Sequence, residues 1–485
     1  MKKIFIVLAT MALVLSSCAD FLDVKPTNQA PASLSITSEA DAKVMLNGLY
    51  DAMTNSSFYG RNFNLYGDAK SGDLTVQSNG RGYDYMFAYN HSVSGYSMSG
   101  FWTTGYNIIM LCNNIIENID GLKEEGMTGL DEYRAQALTI RAMVHYDLCR
   151  LYGKCYNDNK GSYGVPIADK TVPAGAQLLR NTVEEVYSVV IRDLDDAAAS
   201  LSKKKSNGFV NYYANRALKA RAMMDMENYS NALSLAEEII NSGVYKLYSN
   251  DEWVASWSSQ FGSESIFELG MNVNEGDLGN TGCLGAQYIL GGGNGRNNQI
   301  FMASKAYLDL LGEDPEDIRW GIMGQDQVGE SEDYYRPGSC YKYYGNQDMK
   351  GDGKASSSAV NIKLIRLSEI YLIAAEAAAR TSNASKASEY YGEIHKRSPN
   401  LPPANGVTAA MVLEEKNKEL FGEGLRFWDL IRTNATIKMD DTTPDVKVTT
   451  RESSFDRSFY KCILPIYNGE LNANPGMRAQ QNPGY

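Results

Sequence analysis

Residues 419–432, "ELFGEGLRFWDLIR", bring Glu419, Glu423, Asp429, Arg426, Arg432 and Trp428 into one short stretch. Two carboxylates beside cations and an aromatic ring is a set that general acid–base chemistry uses. The spacing argues for another role. On a single helix Glu419, Glu423 and Arg426 fall at i, i+4 and i+7 and share a face. Asp429 follows Arg426 by three residues and Arg432 follows Asp429 by three, a ladder that helix geometry turns into neighbouring ion pairs. Gly422 and Gly424 lie inside this ladder, and each costs up to about 1 kcal/mol in a helix interior relative to alanine. Their presence points to a kink or to another backbone in close approach. The stretch is read as a structural motif, with Arg426 needed for folding rather than for ligand.

Other catalytic patterns are missing. His91, His145 and His395 are far apart, and no HExxH, GxSxG or phosphate-loop pattern occurs. His145 lies in the apolar run "RAMVHYDLCRLYG" and reads as a satisfied helix residue. "GGGNGRNNQ" (291–299) is glycine-rich, but no strand leads into it, and it reads as a flexible loop. "NQDMKGDG" offers Asn346, Asp348 and Asp352 as calcium-like ligands. Lys350 stands where a ligand belongs and no Glu occupies the twelfth position, so this is a weak candidate. No cofactor motif and no firm metal set emerges. Six cysteines beyond Cys18 match no zinc spacing; Cys112 and Cys149 sit in apolar helical runs and read as packing residues.

The richer signal for binding is in the loops. Residues 66–102 and 320–344 interleave aromatic rings with Asp, Asn, Gln, Arg and Gly. Sugar recognition uses this mixture, with flat rings against the C–H faces of pyranoses and planar side chains for paired hydroxyls. Peptide recognition can use the same set, and any one ring could instead pin its loop to the scaffold. The chain holds 32 Tyr against 5 Trp, which suits a wet recognition surface. A formal net charge of −12 argues against nucleic acid, whose phosphates need a basic face.

These loops must be held by something, and most of the 485 residues carry helical periodicity. Helices are expected at about 39–54, 103–120, 131–152, 182–201, 212–226, 230–241, 363–380, 384–396 and 408–433. Between them lie long segments rich in Gly, Asn and Tyr, and "SIFELGM" (265–271) reads as a short strand. Two helix pairs repeat: Ala220 and Ala232 are twelve residues apart, as are Ala375 and Ala387, with Tyr391, Ile394 and Pro399 at tetratricopeptide offsets. Small residues there let two helices approach closely, and each pair leaves an apolar face for a neighbour. The fold class is mainly α: a tetratricopeptide-like helical repeat scaffold with long loop-rich insertions and minor β-structure.

The N-terminus addresses the protein. Lys2 and Lys3 precede an apolar run, Ile4 to Leu15, too short to span a bilayer permanently. "LSSC" then resembles a bacterial lipobox, making Cys18 the lipidated residue. Residues 1–17 are a lipoprotein signal peptide, 18–37 the lipidated cysteine and tether, and 38–485 the folded domain, with ligand loops mainly in 55–102 and 243–360.

"CADFLD", the "RAMVHYDLCRLYG" helix, "RLSEIYLIAAEAA", "KNKELFGEGLRFWDLIR" and the terminal "LPIYNGELNANPGMRAQQNPGY" together resemble the SusD/RagB family, the surface nutrient-binding lipoproteins of Bacteroidetes. The resemblance covers the mature chain in order; Lys416 departs from it, since the family usually has Arg there. It implies four tetratricopeptide-like helix pairs supporting a loop-rich binding half, and no catalysis. It implies a SusC-like TonB-dependent transporter as partner, anchoring in the outer membrane through the N-terminal lipid, and surface export signalled by Asp20 and Asp23. It implies capture of oligosaccharides, or of peptides in the RagB-like branch; a glycan-degrading enzyme is the reading from a different class. An arc of aromatics aided by Asp, Arg and Asn meets the glycan in starch-binding members, which points here to Asp68, Asp73, Arg81, Tyr83, Trp102, Trp320, Tyr334 and Tyr335. "FWTTGYNII" also matches the family's helix-opening motif, so Trp102 has a structural alternative.

Overall fold

The computed structural model describes residues 36–76, 80, 82–271, 282–288, 300–327, 335–343, 360–443 and 446–485. Its longer helices are α1 (Glu39–Met53), α2 (Asn62–Ala69), α3 (Ser99–Glu124), α4 (Asp131–Tyr152), α5 (Val183–Ala198), α6 (Tyr212–Asp225), α7 (Tyr229–Asn241), α8 (Leu367–Arg380), α9 (Ala384–His395), α10 (Ala409–Leu420) and α11 (Arg426–Thr433). From α3 to α9 each helix packs on the next in chain order, and α8 also meets α10. This is the expected helical array.

The sequence marks where these helices begin. Ser38 caps α1, and Thr182 with Glu185 forms a reciprocal capping box on α5. The two repeat units share a turn. Glu227 and Ser382 adopt positive φ, and the next residue in each case, Asn228 or Asn383, caps the following helix. Ala220, Ala232, Ala375 and Ala387 are fully buried between the paired helices, as close packing requires.

Among the described residues the β-structure is confined to two-stranded ribbons. β1 (Leu74–Val76) pairs with β3 (Phe301–Ala303), β2 (Ser265–Leu269) with β6 (Ile362–Arg366), and β4 (Met323–Gln327) with β5 (Tyr335–Cys340), all antiparallel. The β1/β3 ribbon joins the two loop regions, 55–102 and 243–360.

Two expected helices are corrected. The element expected at 363–380 starts as strand β6, because β2 offers it a ladder; α8 begins only at Leu367, whose N–H donates to the Glu264 carbonyl. The helix expected at 408–433 is two helices. α10 ends at Leu420, and Gly422 and Gly424 turn the chain with φ of +81° and +75° before α11 starts. A Cβ on Gly424 would lie 2.5 Å from Asn64 Cα, and one on Gly67 would lie 2.0 Å from the Gly424 carbonyl oxygen. The glycines therefore serve both a turn and a backbone-to-backbone contact with α2.

Candidate functional site

Breaking that helix redistributes the charge ladder. Glu423 lies in the turn, and Arg426 pairs with neither glutamate; it is half-buried and donates to the Leu413 carbonyl at 3.0 Å. The expectation that Glu419, Glu423 and Arg426 share a helix face is overturned, and Arg366 takes the place assigned to Arg426. Arg366 donates to both oxygens of Glu423 at 2.8 Å, to Glu264 at 2.8 Å and to Glu419 at 3.3 Å. Lys342 reaches Glu423 at 2.8 Å, and both cations lie over the Trp257 ring. Burial works against the Glu423 charge, but Arg366 and then Lys342 hold its carboxyl below the usual range. The expected step from Arg426 to Asp429 is absent among the described residues, whereas the last step is as expected: Arg432 pairs with Asp429, which also accepts from Lys416 at 2.9 Å, and Arg432 continues to Glu376. Each carboxylate here lies against a buried cation, although Glu419 Oε2 and Asp429 Oδ2 accept no hydrogen bond among the described residues, and the motif fixes the scaffold.

The candidate binding residues divide by burial. Asp68 is 3% exposed; its Oδ2 accepts from the Tyr288 hydroxyl at 2.7 Å and its Oδ1 from the Gly424 N–H at 2.8 Å. Burial pushes its carboxyl up to about 8. Asp73 accepts from Asn417 at 3.1 Å, and burial raises it also, opposed by the Arg426 charge. Trp102 is buried and donates to Glu470 at 3.2 Å. The expectation that Asp68 and Trp102 face ligand is corrected: both side chains are enclosed, and they join segments of the fold. Trp320 is half-buried on a 3₁₀ turn, Ile318–Ile322, and no ring contact joins it to Tyr83 among the described residues. Tyr335 opens β5 opposite Gln327. Arg81, Tyr334, Cys18, Asn346, Asp348 and Asp352 lie outside the described residues. Among the described residues no group of His, Cys, Asp and Glu could hold a metal ion.

Tyr83 leads to a surface site that the residue types alone did not single out. Asp84 accepts from the backbone N–H of Gly80 at 2.9 Å and of Gly82 at 3.1 Å, and so pins the turn that carries Tyr83. The Tyr83 and Tyr85 ring centroids are 6.3 Å apart. Tyr85 stacks on Tyr96 at 4.5 Å with only 4° between ring planes. Tyr96 is 53% exposed, while Tyr85 is mostly covered and burial pushes its hydroxyl up to about 12. The Arg61 guanidinium lies 4.8 Å from the Tyr83 ring centroid and donates to the Gly282 carbonyl and to Asn62. Arg61 thus ties this aromatic ladder to the second loop region. The result is a pre-stacked aromatic platform with one outer ring open to water, backed by a fixed cation. The loop was legible in the sequence; the roles of Tyr85, Tyr96 and Arg61 depend on which rings fold outward.

Residues 20–223 match the family described as "Starch-binding associating with outer membrane", and residues 290–485 match the SusD family. A putative sugar binding protein from Bacteroides vulgatus is 30% identical, with 93% of this chain and 99% of that chain covered and a TM-score of 0.83. A SusD superfamily protein from the same organism is 31% identical, with 92% and 99% covered and a TM-score of 0.79. SusD-like protein P25 of Formosa agariphila is 24% identical over 95% of this chain and 94% of its own length. With the helical array, the glycine turn and the loop-borne rings in place along the whole described chain, the protein belongs to the SusD family.

Proposed function

We propose that the protein captures oligosaccharides at the cell surface and delivers them to a SusC-like TonB-dependent transporter. In this reading residues 1–17 direct export, Cys18 carries the lipid that anchors the chain in the outer membrane, 18–37 form the tether and 38–485 the binding domain. The observation that carries it is the Tyr85–Tyr96 stack, with its outer ring 53% exposed beside Tyr83 and Arg61. A flat ring held rigid by a second ring presents an apolar face to a sugar's C–H surface at little entropic cost. Outer-membrane association and starch binding in the matched family description, and sugar binding in the name of a 30% identical relative, support the same ligand class. The family is one of binding proteins, not enzymes.

Affinity electrophoresis through gels containing neutral polysaccharides tests the reading. Retardation by at least one polymer, without release of reducing ends, supports it. Release of reducing ends would replace it with a glycan-degrading enzyme. Indifference to every glycan together with peptide binding would move the chain to the RagB-like branch.

A further inference from the structure

A second concave surface lies on the helical scaffold, and none of its lining residues belongs to the two ligand-loop regions. A cavity of about 300 Å³ opens between α1, α4 and the segment preceding α6, at the lower end of the size of small-ligand sites. α1 contributes Lys43, Leu46 and Asn47, and α4 contributes Glu132, Tyr133 and Gln136. Phe209 closes the floor.

The floor is rigidly built. The Val210 N–H donates to the Tyr50 hydroxyl at 2.8 Å, so that hydroxyl directs its own proton to Gln136 Oε1, also at 2.8 Å. Tyr50 also meets the Phe209 ring edge-on at 4.8 Å. Gln136 is only 8% exposed, and with its oxygen committed to Tyr50 its Nε2 is left lining the cavity without a partner among the described residues. Lys43 and Asn47 are exposed, one turn apart on α1, and make no side-chain hydrogen bond or ion pair among the described residues. Glu39, on the same face of α1, accepts from the Tyr133 hydroxyl at 3.1 Å, and Glu132, on the facing α4, accepts from the Ser202 N–H at 3.3 Å, which leaves each carboxylate with acceptor capacity.

We propose that this cleft is a second saccharide subsite that holds one neutral sugar unit. Amide and ammonium donors and two carboxylate acceptors line the cleft together with the apolar Leu46 and Phe209, a set that a ring with several hydroxyls and an apolar face satisfies. Two carboxylates against one ammonium disfavour an acidic sugar. The cleft itself is read from its own residues; the choice of a sugar as occupant rests on the proposed function.

Saturation-transfer NMR on the full chain, with methyl glucoside and methyl galactoside at millimolar concentration and methyl glucuronide for comparison, tests it. Lys43→Ala/Asn47→Ala lies on the exposed face of α1 and keeps good helix formers. It is expected to weaken neutral-glycoside binding by about tenfold through loss of two hydrogen bonds, and to leave polysaccharide retardation at Tyr96 intact. Tyr96→Ala is expected to do the reverse. Unchanged glycoside binding in the Lys43/Asn47 variant, no glycoside binding by the wild type, or tighter binding of the glucuronide would each overturn the subsite. Polysaccharide retardation left unchanged by Tyr96→Ala would instead count against the loop platform.

Discussion

The backbone N–H of Gly424 donates to Asp68 Oδ1 at 2.8 Å, so a residue expected to touch ligand is the seam between the glycine turn and the loop-rich half. The other oxygen of Asp68 takes the Tyr288 hydroxyl, which brings in the second loop region. One carboxyl group therefore joins three distant segments, and its environment sets two of the consequences below.

Substitution at the seam is expected to be costly for steric reasons. Gly424→Ala places a Cβ 2.5 Å from Asn64 Cα at a φ of +75°, so backbone must move. Chemical denaturation should show a loss of more than about 2 kcal/mol. Gly392→Ala in α9 is the control. It meets nothing within 4 Å and has ordinary helical φ, so it should stabilise by about 0.5–1 kcal/mol.

Arg366 and Arg426 should differ sharply. Arg366→Ala leaves Glu264, Glu419 and Glu423 buried with a missing partner, and a loss of about 3–5 kcal/mol is expected. Arg426→Ala removes one bond to the Leu413 carbonyl and should cost about 1 kcal/mol. Thermal melts of the two variants decide between this assignment and the helix-face ladder, in which Arg426 is the essential cation.

Stability should carry opposing pH slopes from two residues of one segment. Burial raises Asp68 from 3.8 to about 8, so between those values the folded state holds a proton that the unfolded chain has released, and stability falls as pH rises. Asp68→Asn can accept from the Gly424 N–H through its amide oxygen and donate its Nδ2–H to the Tyr288 hydroxyl, as a protonated Asp68 would, and its advantage over the wild type should grow from pH 5 to pH 8. Lys70 is fully buried, donating to the Lys461 carbonyl oxygen and the Tyr66 hydroxyl and lying near His91, Tyr89, Phe427 and Cys462, with no carboxylate partner among the described residues. Burial lowers it from 10.5 to about 7, so between those values the unfolded chain binds the extra proton and stability rises with pH. Lys70→Met should flatten that rise, and its benefit should be largest at and below pH 7. Urea titrations at several pH values measure both slopes.

How much of this the sequence shows depends on whether the signal is periodic. Helix spacing located the repeat pairs, and small residues at Ala220, Ala232, Ala375 and Ala387 announced their close packing. It misread 408–433 because charges at helical spacing continue across Gly422 and Gly424, and only the second backbone explains why two glycines stand there. It misread 363–366 because a short apolar run suits a strand or a helix until β2 supplies a partner. The aromatic-rich loops were visible by composition, yet Asp68 and Trp102 turned inward while Tyr96 turned outward. Which face of a loop meets water is decided by long-range packing, which leaves no local spacing to read.

The most direct measurement is calorimetric titration of a polysaccharide that retards the wild-type protein into the Tyr96→Ala and Tyr85→Ala variants, with melts to establish that both are folded. Losing a stacking ring is expected to weaken binding by about tenfold or more for Tyr96→Ala. Tyr85→Ala should weaken it comparably, since Tyr96 then loses its support. Unaltered affinity in both folded variants would contradict the account.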